Sequence, residues 1–206
     1  MKFRGVWLLA LGAMAVGTPY AAAHFRLLEP QGWLVENNLG DPQKLGPCGG
    51  TSADSGMPTN AIARLKGGQM LHIKVQEMVF HPGHYRIALA VNSRDELPPD
   101  PAVTTRDTDK GPWSVSSAIA SQPNVPVLAD GLFVHSTRQT GPFETDVQLP
   151  NISCEKCTLQ IIEFMAEHGY NNPGGYFYHH CAALQITADP AKPIDAHWPS
   201  ATSARH

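Results

Sequence analysis

The stretch MLHIKVQEMVFHPGHYRIALAV occupies residues 70–91. In its first half Leu71, Ile73 and Val75 alternate with His72, Lys74 and Gln76. In its second half Tyr85, Ile87, Leu89 and Val91 alternate with His84, Arg86, Ala88 and Ala90. Successive side chains on a strand point to opposite faces, so each half predicts a half-buried strand. His81-Pro82-Gly83-His84 lies between them as the connection. Working outward, residues 25–28, 132–136, 143–149, 157–165 and 176–187 carry similar apolar patterns, separated by Gly, Pro, Asn and Asp. Seven or eight short strands predict an all-β chain. The expected fold is an antiparallel β-sandwich of immunoglobulin or fibronectin-III type with long loops, and a closed barrel is the alternative.

Composition agrees with this class. The 206 residues include 18 glycines and 18 prolines, and only 16% are charged. A helix bundle or coiled coil would be richer in Ala, Glu, Lys and Leu. A net charge of −3 leaves no electrostatic footprint for nucleic acid. Two connections are long, residues 30–67 and 93–130, and the second contains six prolines. Loops of that length are usually functional or mobile.

The N-terminus reads as an export signal. Lys2 and Arg4 precede the apolar run GVWLLALGAMAV (5–16), and Ala21-Ala22-Ala23 forms an A-x-A cleavage site. The run is too short for the roughly twenty residues a membrane span needs. The expected organisation is a signal peptide over 1–23, a β-sandwich domain over 24–188 and a disordered tail over 189–206. Such a protein is secreted or periplasmic, off the membrane after signal removal, and expected to be a monomer. Cys48, Cys154, Cys157 and Cys181 then lie in an oxidising compartment, where four cysteines allow three pairings. The expected pairs are Cys48–Cys181 and Cys154–Cys157. Asn151-Ile152-Ser153 is a glycosylation sequon whose use the sequence leaves open.

Cleavage after Ala23 makes His24 the first residue. Its free amine and ring Nδ1 can then close a chelate on one metal ion, because the amine loses its proton readily near neutral pH. Ten histidines in 206 residues are roughly twice the usual share. His81 and His84 stand in a loop that enters a strand, where ligand sets commonly sit.

Together these segments resemble the lytic polysaccharide monooxygenases. The resemblance rests on His24, on His81-Pro82-Gly83 leading into the strand from Tyr85, and on two late strands. One is Leu159-Gln160-Ile161-Ile162-Glu163-Phe164. The other is Phe177-Tyr178-His179-His180-Cys181-Ala182. The segments HPGHYRIAL and FYHHCA also resemble an uncharacterised bacterial branch described as polysaccharide monooxygenase-like. The resemblance implies a copper cofactor held by the His24 amine and Nδ1 and by one nitrogen of His81, three nitrogens suited to Cu(II). It implies Tyr178 near the axial position and Glu163 or His168 positioning the oxidant. His84 is the alternative second ligand. His180 and Arg86 are expected around the first ligands, with Arg86 pairing to Glu163. The implied reaction is oxidative cleavage of a polysaccharide, with an electron donor as second partner. An exported copper-binding module without sugar oxidation is the alternative. The pattern departs at Tyr176, where the fungal members carry glutamine, and Trp33, Trp113 and Trp198 form no evident array. No G-x-S-x-G or H-E-x-x-H motif is present to favour a hydrolase.

Overall fold

The computed structural model describes residues 24–199. The expected signal peptide lies outside the described residues. Ten strands follow one another: β1 (His24–Glu29), β2 (Ile62–Lys66), β3 (Met70–Val79), β4 (Gly83–Ala90), β5 (Val103–Thr108), β6 (Gly111–Ser117), β7 (Val127–His135), β8 (Phe143–Gln148), β9 (Cys154–Met165) and β10 (Phe177–Thr187). One sheet has the order β1-β3-β8 and the other β2-β10-β9-β4-β7, while β5 and β6 form a separate hairpin. The fold is therefore an all-β sandwich. All pairings are antiparallel except that of β2 with β10.

The alternation read in β3 and β4 builds the core. Leu71, Ile73 and Val75 from one sheet meet Tyr85, Ile87 and Leu89 from the other, each at most 5% exposed. Burying each such side chain contributes about 1.5–3 kcal/mol. Phe25 and Leu27 bring β1 into the same cluster.

The second face of β4 departs from expectation. His84, Arg86, Ala88 and Ala90 are buried as well, so this strand is covered on both sides. The cover comes from the long connections. Cys48, Leu97 and Trp33 pack over Ala88 and Ala90, and Val103 of β5 packs with Ile162, Phe164 and Phe177. Residues 93–130 are thus no bare loop: they hold a 3-10 turn (Arg94–Glu96), β5, β6 and the start of β7. Strand β2, inside 30–67, also escaped the period-two reading. Its burial alternates, but its sequence IARLK is short and charged.

Both disulfides form as expected, Cys48–Cys181 and Cys154–Cys157. Among the described residues no helix is long and apolar enough to cross a membrane.

The tail needs correcting over 189–199. The Asn151 amide nitrogen donates to the carbonyls of Asp189, Lys192 and Pro193, and Trp198 packs against the core. A short polar composition suggested disorder, but one buried asparagine supplies the backbone partners that hold the segment. The same residue is the asparagine of the sequon. Asn151 is 3% exposed, and the two N–H donors of the nitrogen a glycan would occupy face three carbonyl oxygens.

Candidate functional site

His24 opens β1 opposite Val79, the last residue of β3. Two residues beyond Val79 the chain reaches His81. Antiparallel pairing therefore carries the first described residue to the turn between β3 and β4. Gly83 makes that turn possible. A Cβ there would stand 2.0 Å from the Phe164 carbonyl oxygen, so only glycine lets β4 enter beside β9. The Ala166 N–H closes the turn on the Pro82 carbonyl at 2.7 Å.

Around His24 the loop after β1 supplies a carboxylate. Asp41 Oδ2 lies 3.2 Å from His24 Nε2. The loop can come this close because Gly40, at φ +96°, presents no Cβ to the Phe25 carbonyl, which would lie 1.9 Å away. The hydrogen bond to His24 holds the Asp41 carboxyl below its ordinary range, against the opposing effect of burial. With Nε2 directed at Asp41, Nδ1 lies on the other side of the ring. Gln43 completes the clamp, its Oε1 accepting the Phe25 N–H at 3.1 Å.

His81 is buried, and its Nδ1 makes no hydrogen bond. Its pKa is pushed down to about 4, first by burial, then by the neighbouring imidazoles of His168 and His24. The ring is therefore neutral at pH 7, the form that ligates metals. The His168 ring centroid stands 4.8 Å from that of His81. Ser114 fixes this loop: its Oγ accepts the His168 N–H at 3.1 Å. Tyr178 stands beside His24, ring centroids 5.2 Å apart. Burial, aided by the Asp41 and Glu163 carboxyls, drives its phenol well above the ordinary value, so it stays protonated.

Glu163 lies on β9 opposite Tyr178 and Tyr85. It is fully buried, and its Oε1 accepts the Tyr85 hydroxyl at 3.0 Å. Burial, and then the nearby Glu77, push its carboxyl far upward. His24, His81, His168, Tyr178 and Glu163 thus gather around one end of the sandwich.

Three expected members do not join them. His84 turns to the other face of β4, against Phe164 with ring centroids 5.2 Å apart, because strand alternation separates it from Tyr85. Arg86 shares that face. Its guanidinium donates to the carbonyls of Pro98 and Pro99 at 3.4 and 3.1 Å rather than to Glu163. His180 does point the same way as Tyr178, as alternation requires, yet it meets the backbone of β1 instead. Its Nε2 lies 3.0 Å from the Phe25 carbonyl, and Nδ1 lies 3.5 Å from Glu36 Oε1. Burial lowers its pKa to about 4.

Three residues that sequence reading left out matter here. Asp41 orients His24. Glu77 accepts the His81 N–H at 3.0 Å, and His135 Nε2 lies 3.1 Å from the same oxygen. An acid at position 77, the next inward position after Leu71, Ile73 and Val75, was the available signal.

Glu36 gives a measurable handle on β1. Burial raises its carboxyl to about 7, although the Leu27 N–H and Arg26 oppose the rise. The folded chain therefore holds a proton that the unfolded chain releases above about pH 4.5. Stability from this group is present at low pH and is lost as pH climbs toward 7. The loss is on the order of 3 kcal/mol. Comparing melting temperatures of wild type and Glu36→Gln between pH 4.5 and 7 should show wild type losing ground steadily. His81 and His180, shifted the other way, act in both proteins and drop out of the difference. A constant gap would place the Glu36 carboxyl in solvent.

No family model matches the chain, and no curated protein matches it. Among solved structures, it is similar to the crystal structure of a chitin binding domain from Burkholderia pseudomallei. That likeness has 11% sequence identity and a TM-score of 0.48, covering 81% of this chain and 100% of that chain.

Proposed function

We propose that the chain, once trimmed to begin at His24, binds one copper ion through His24 and His81 and oxidises a polysaccharide. The observation that carries this reading is the meeting of His24 and the His81 turn at the junction of β1 and β3, with a buried, unpartnered nitrogen on His81. Among the described residues, three His, Cys, Asp or Glu side chains converge within 4.8 Å of one another only at Glu77, His135 and Glu163. No third donor of this kind groups with His24 and His81, so the proposed set takes its third nitrogen from the α-amine. That donor set of amine and imidazoles fits Cu(II).

Bound copper supplies the one-electron chemistry that activates oxygen or peroxide. The chain's own residues do the rest. His24 and His81 hold the ion, and Asp41 fixes the His24 ring. Tyr178 seals the site from below with a neutral phenol. His168 stands beside His81 at the rim, placed to hand on a proton. Tyr170, 60% exposed on the segment after His168, offers a ring face on which a sugar can stack.

A second reading, copper binding without sugar oxidation, is favoured by the closure of the site. His24, His81 and His168 are each only 7–8% exposed, which leaves little of them to an incoming chain. Electron paramagnetic resonance of Cu(II) titrated into correctly trimmed protein tests the shared part. A nitrogen-rich axial spectrum should saturate at one equivalent and disappear in His81→Ala. An identical spectrum in that variant removes His81 and the reading. Release of oxidised oligosaccharides with reductant then separates the two.

A further inference from the structure

Inward from the His24–His81 turn, the two sheets enclose another group of ligand-type side chains. Glu77 comes from β3, His135 from the end of β7 and Glu163 from β9. One donor atom of each lies within 4.8 Å of the other two. His135 Nε2 and Glu77 Oε1 are 3.1 Å apart, with side chains 4% and 3% exposed, and Glu163 is 0% exposed. Acidic clusters on a surface are common and uninformative. This one is dry.

Two features show what it is built to hold. First, His135 Nδ1 lies 2.7 Å from the Phe133 carbonyl, so Nδ1–H donates there and Nε2 is turned toward Glu77. Metal-ligating imidazoles are oriented in this way, by a backbone carbonyl on the far nitrogen. Second, Glu163 Oε1 accepts the Tyr85 hydroxyl, whereas the fully buried Oε2 makes no hydrogen bond. A carboxylate oxygen shut away from water without a partner is costly unless something positive meets it.

Charge and spacing narrow the ligand. A divalent cation would take the place of the protons held by this group, leaving Glu77 and Glu163 as carboxylates and His135 as a neutral imidazole, two negative charges that it cancels. His135 Nε2 and Glu77 Oε1, 3.1 Å apart, suit bonds of roughly 2.1 Å to one ion, and an N/O set without thiolate suits zinc among the borderline cations. We infer that Glu77, His135 and Glu163 form a buried site for a divalent first-row cation of zinc type. The cation enters as the chain folds and displaces the proton that the Glu77–His135 pair otherwise shares. Because Glu77 Oε1 also accepts the His81 N–H, the inner site braces the turn that carries His81.

The test uses the full mature chain expressed with added zinc, with His81→Ala to disable the outer site. After dialysis against chelator, His81→Ala should retain one zinc per chain and melt at a higher temperature than its metal-stripped form. Adding Glu163→Gln or Glu77→Gln should cut retained zinc at least tenfold. Crystals of His81→Ala should give an anomalous peak at the zinc edge among the three side chains. A zinc-free His81→Ala, zinc retained in Glu163→Gln, or a peak elsewhere overturns the inference, and so does a proton shared between the carboxyls with no metal. If the double variants fail to fold, the anomalous map alone decides. The copper reading is judged by a different spectrum on the intact outer site, so either can fail without the other.

Discussion

One residue left in front of His24 will weaken Cu(II) binding by at least about a hundredfold. Losing a group that only orients a ligand already costs 10- to 100-fold, and here a ligand itself is lost. Acylation turns the α-amine into an amide nitrogen, which must give up a far less acidic proton before it can bind copper, and it moves the free amine one residue away from the His24 ring. Among the described residues no third His, Cys, Asp or Glu donor groups with His24 and His81 to replace it. The fold should not notice the extra residue. Strand β1 is held through Phe25, whose N–H meets Gln43 and whose carbonyl meets His180, and through the Leu27 N–H on Glu36. Isothermal titration of the extended and trimmed chains, with unchanged circular dichroism and melting temperature, isolates the amine. Equal affinities would take the amine out of the ligand set and remove the proposed function with it.

The sandwich was readable because its core strands obey one simple rule. In β3 every second residue from Leu71 to Val75 is apolar, and the pleat sends those residues to one face. What period-two reading missed is what depends on distant cover. Strand β4 has polar residues at alternate positions and looked half-exposed. The long connections bury that face too, and Arg86 finds its partners in two proline carbonyls of the segment 98–99. Strand β2 gains its place from a parallel pairing with β10, which no local pattern announces.

The site was legible to a similar depth. His24 and His81 stand out in the chain, and antiparallel pairing of β1 with β3 brings their backbones together. His84 stayed open as the alternative ligand, and alternation with its inward neighbour Tyr85 is what sends it to the other face. Alternation also aligned His180 with Tyr178, but could not say that Phe25 would intervene. Asp41 and His135 arrive through loop geometry and a different strand, so their partners appear only in three dimensions. Glu77 differs: an acid at an inward strand position conflicts with core burial, and such conflicts mark sites.

Breaking Cys48–Cys181 with a Cys48→Ser, Cys181→Ser double change should destabilise the fold by about 5 kcal/mol, against about 2 kcal/mol for the Cys154–Cys157 pair. The contrast follows from loop length in the unfolded chain, a separation of 133 residues against 3. The longer bridge has local consequences as well. It fastens β10 to the segment that carries Glu36, Asp41 and Gln43, and the Gln43 carbonyl accepts the His179 N–H at 2.8 Å beside it. Releasing that segment loosens the carboxylate from His24 and the clamp from Phe25. Copper affinity should therefore fall in the Cys48/Cys181 variant under conditions where most molecules remain folded. The Cys154/Cys157 variant should keep it, because that loop opens β9 at the far end from Glu163. Denaturant titrations give the two stability losses, and a metal titration below each melting temperature gives the affinities. Equal losses of affinity in both variants would mean that the clamp loop holds its place on β10 without the bridge.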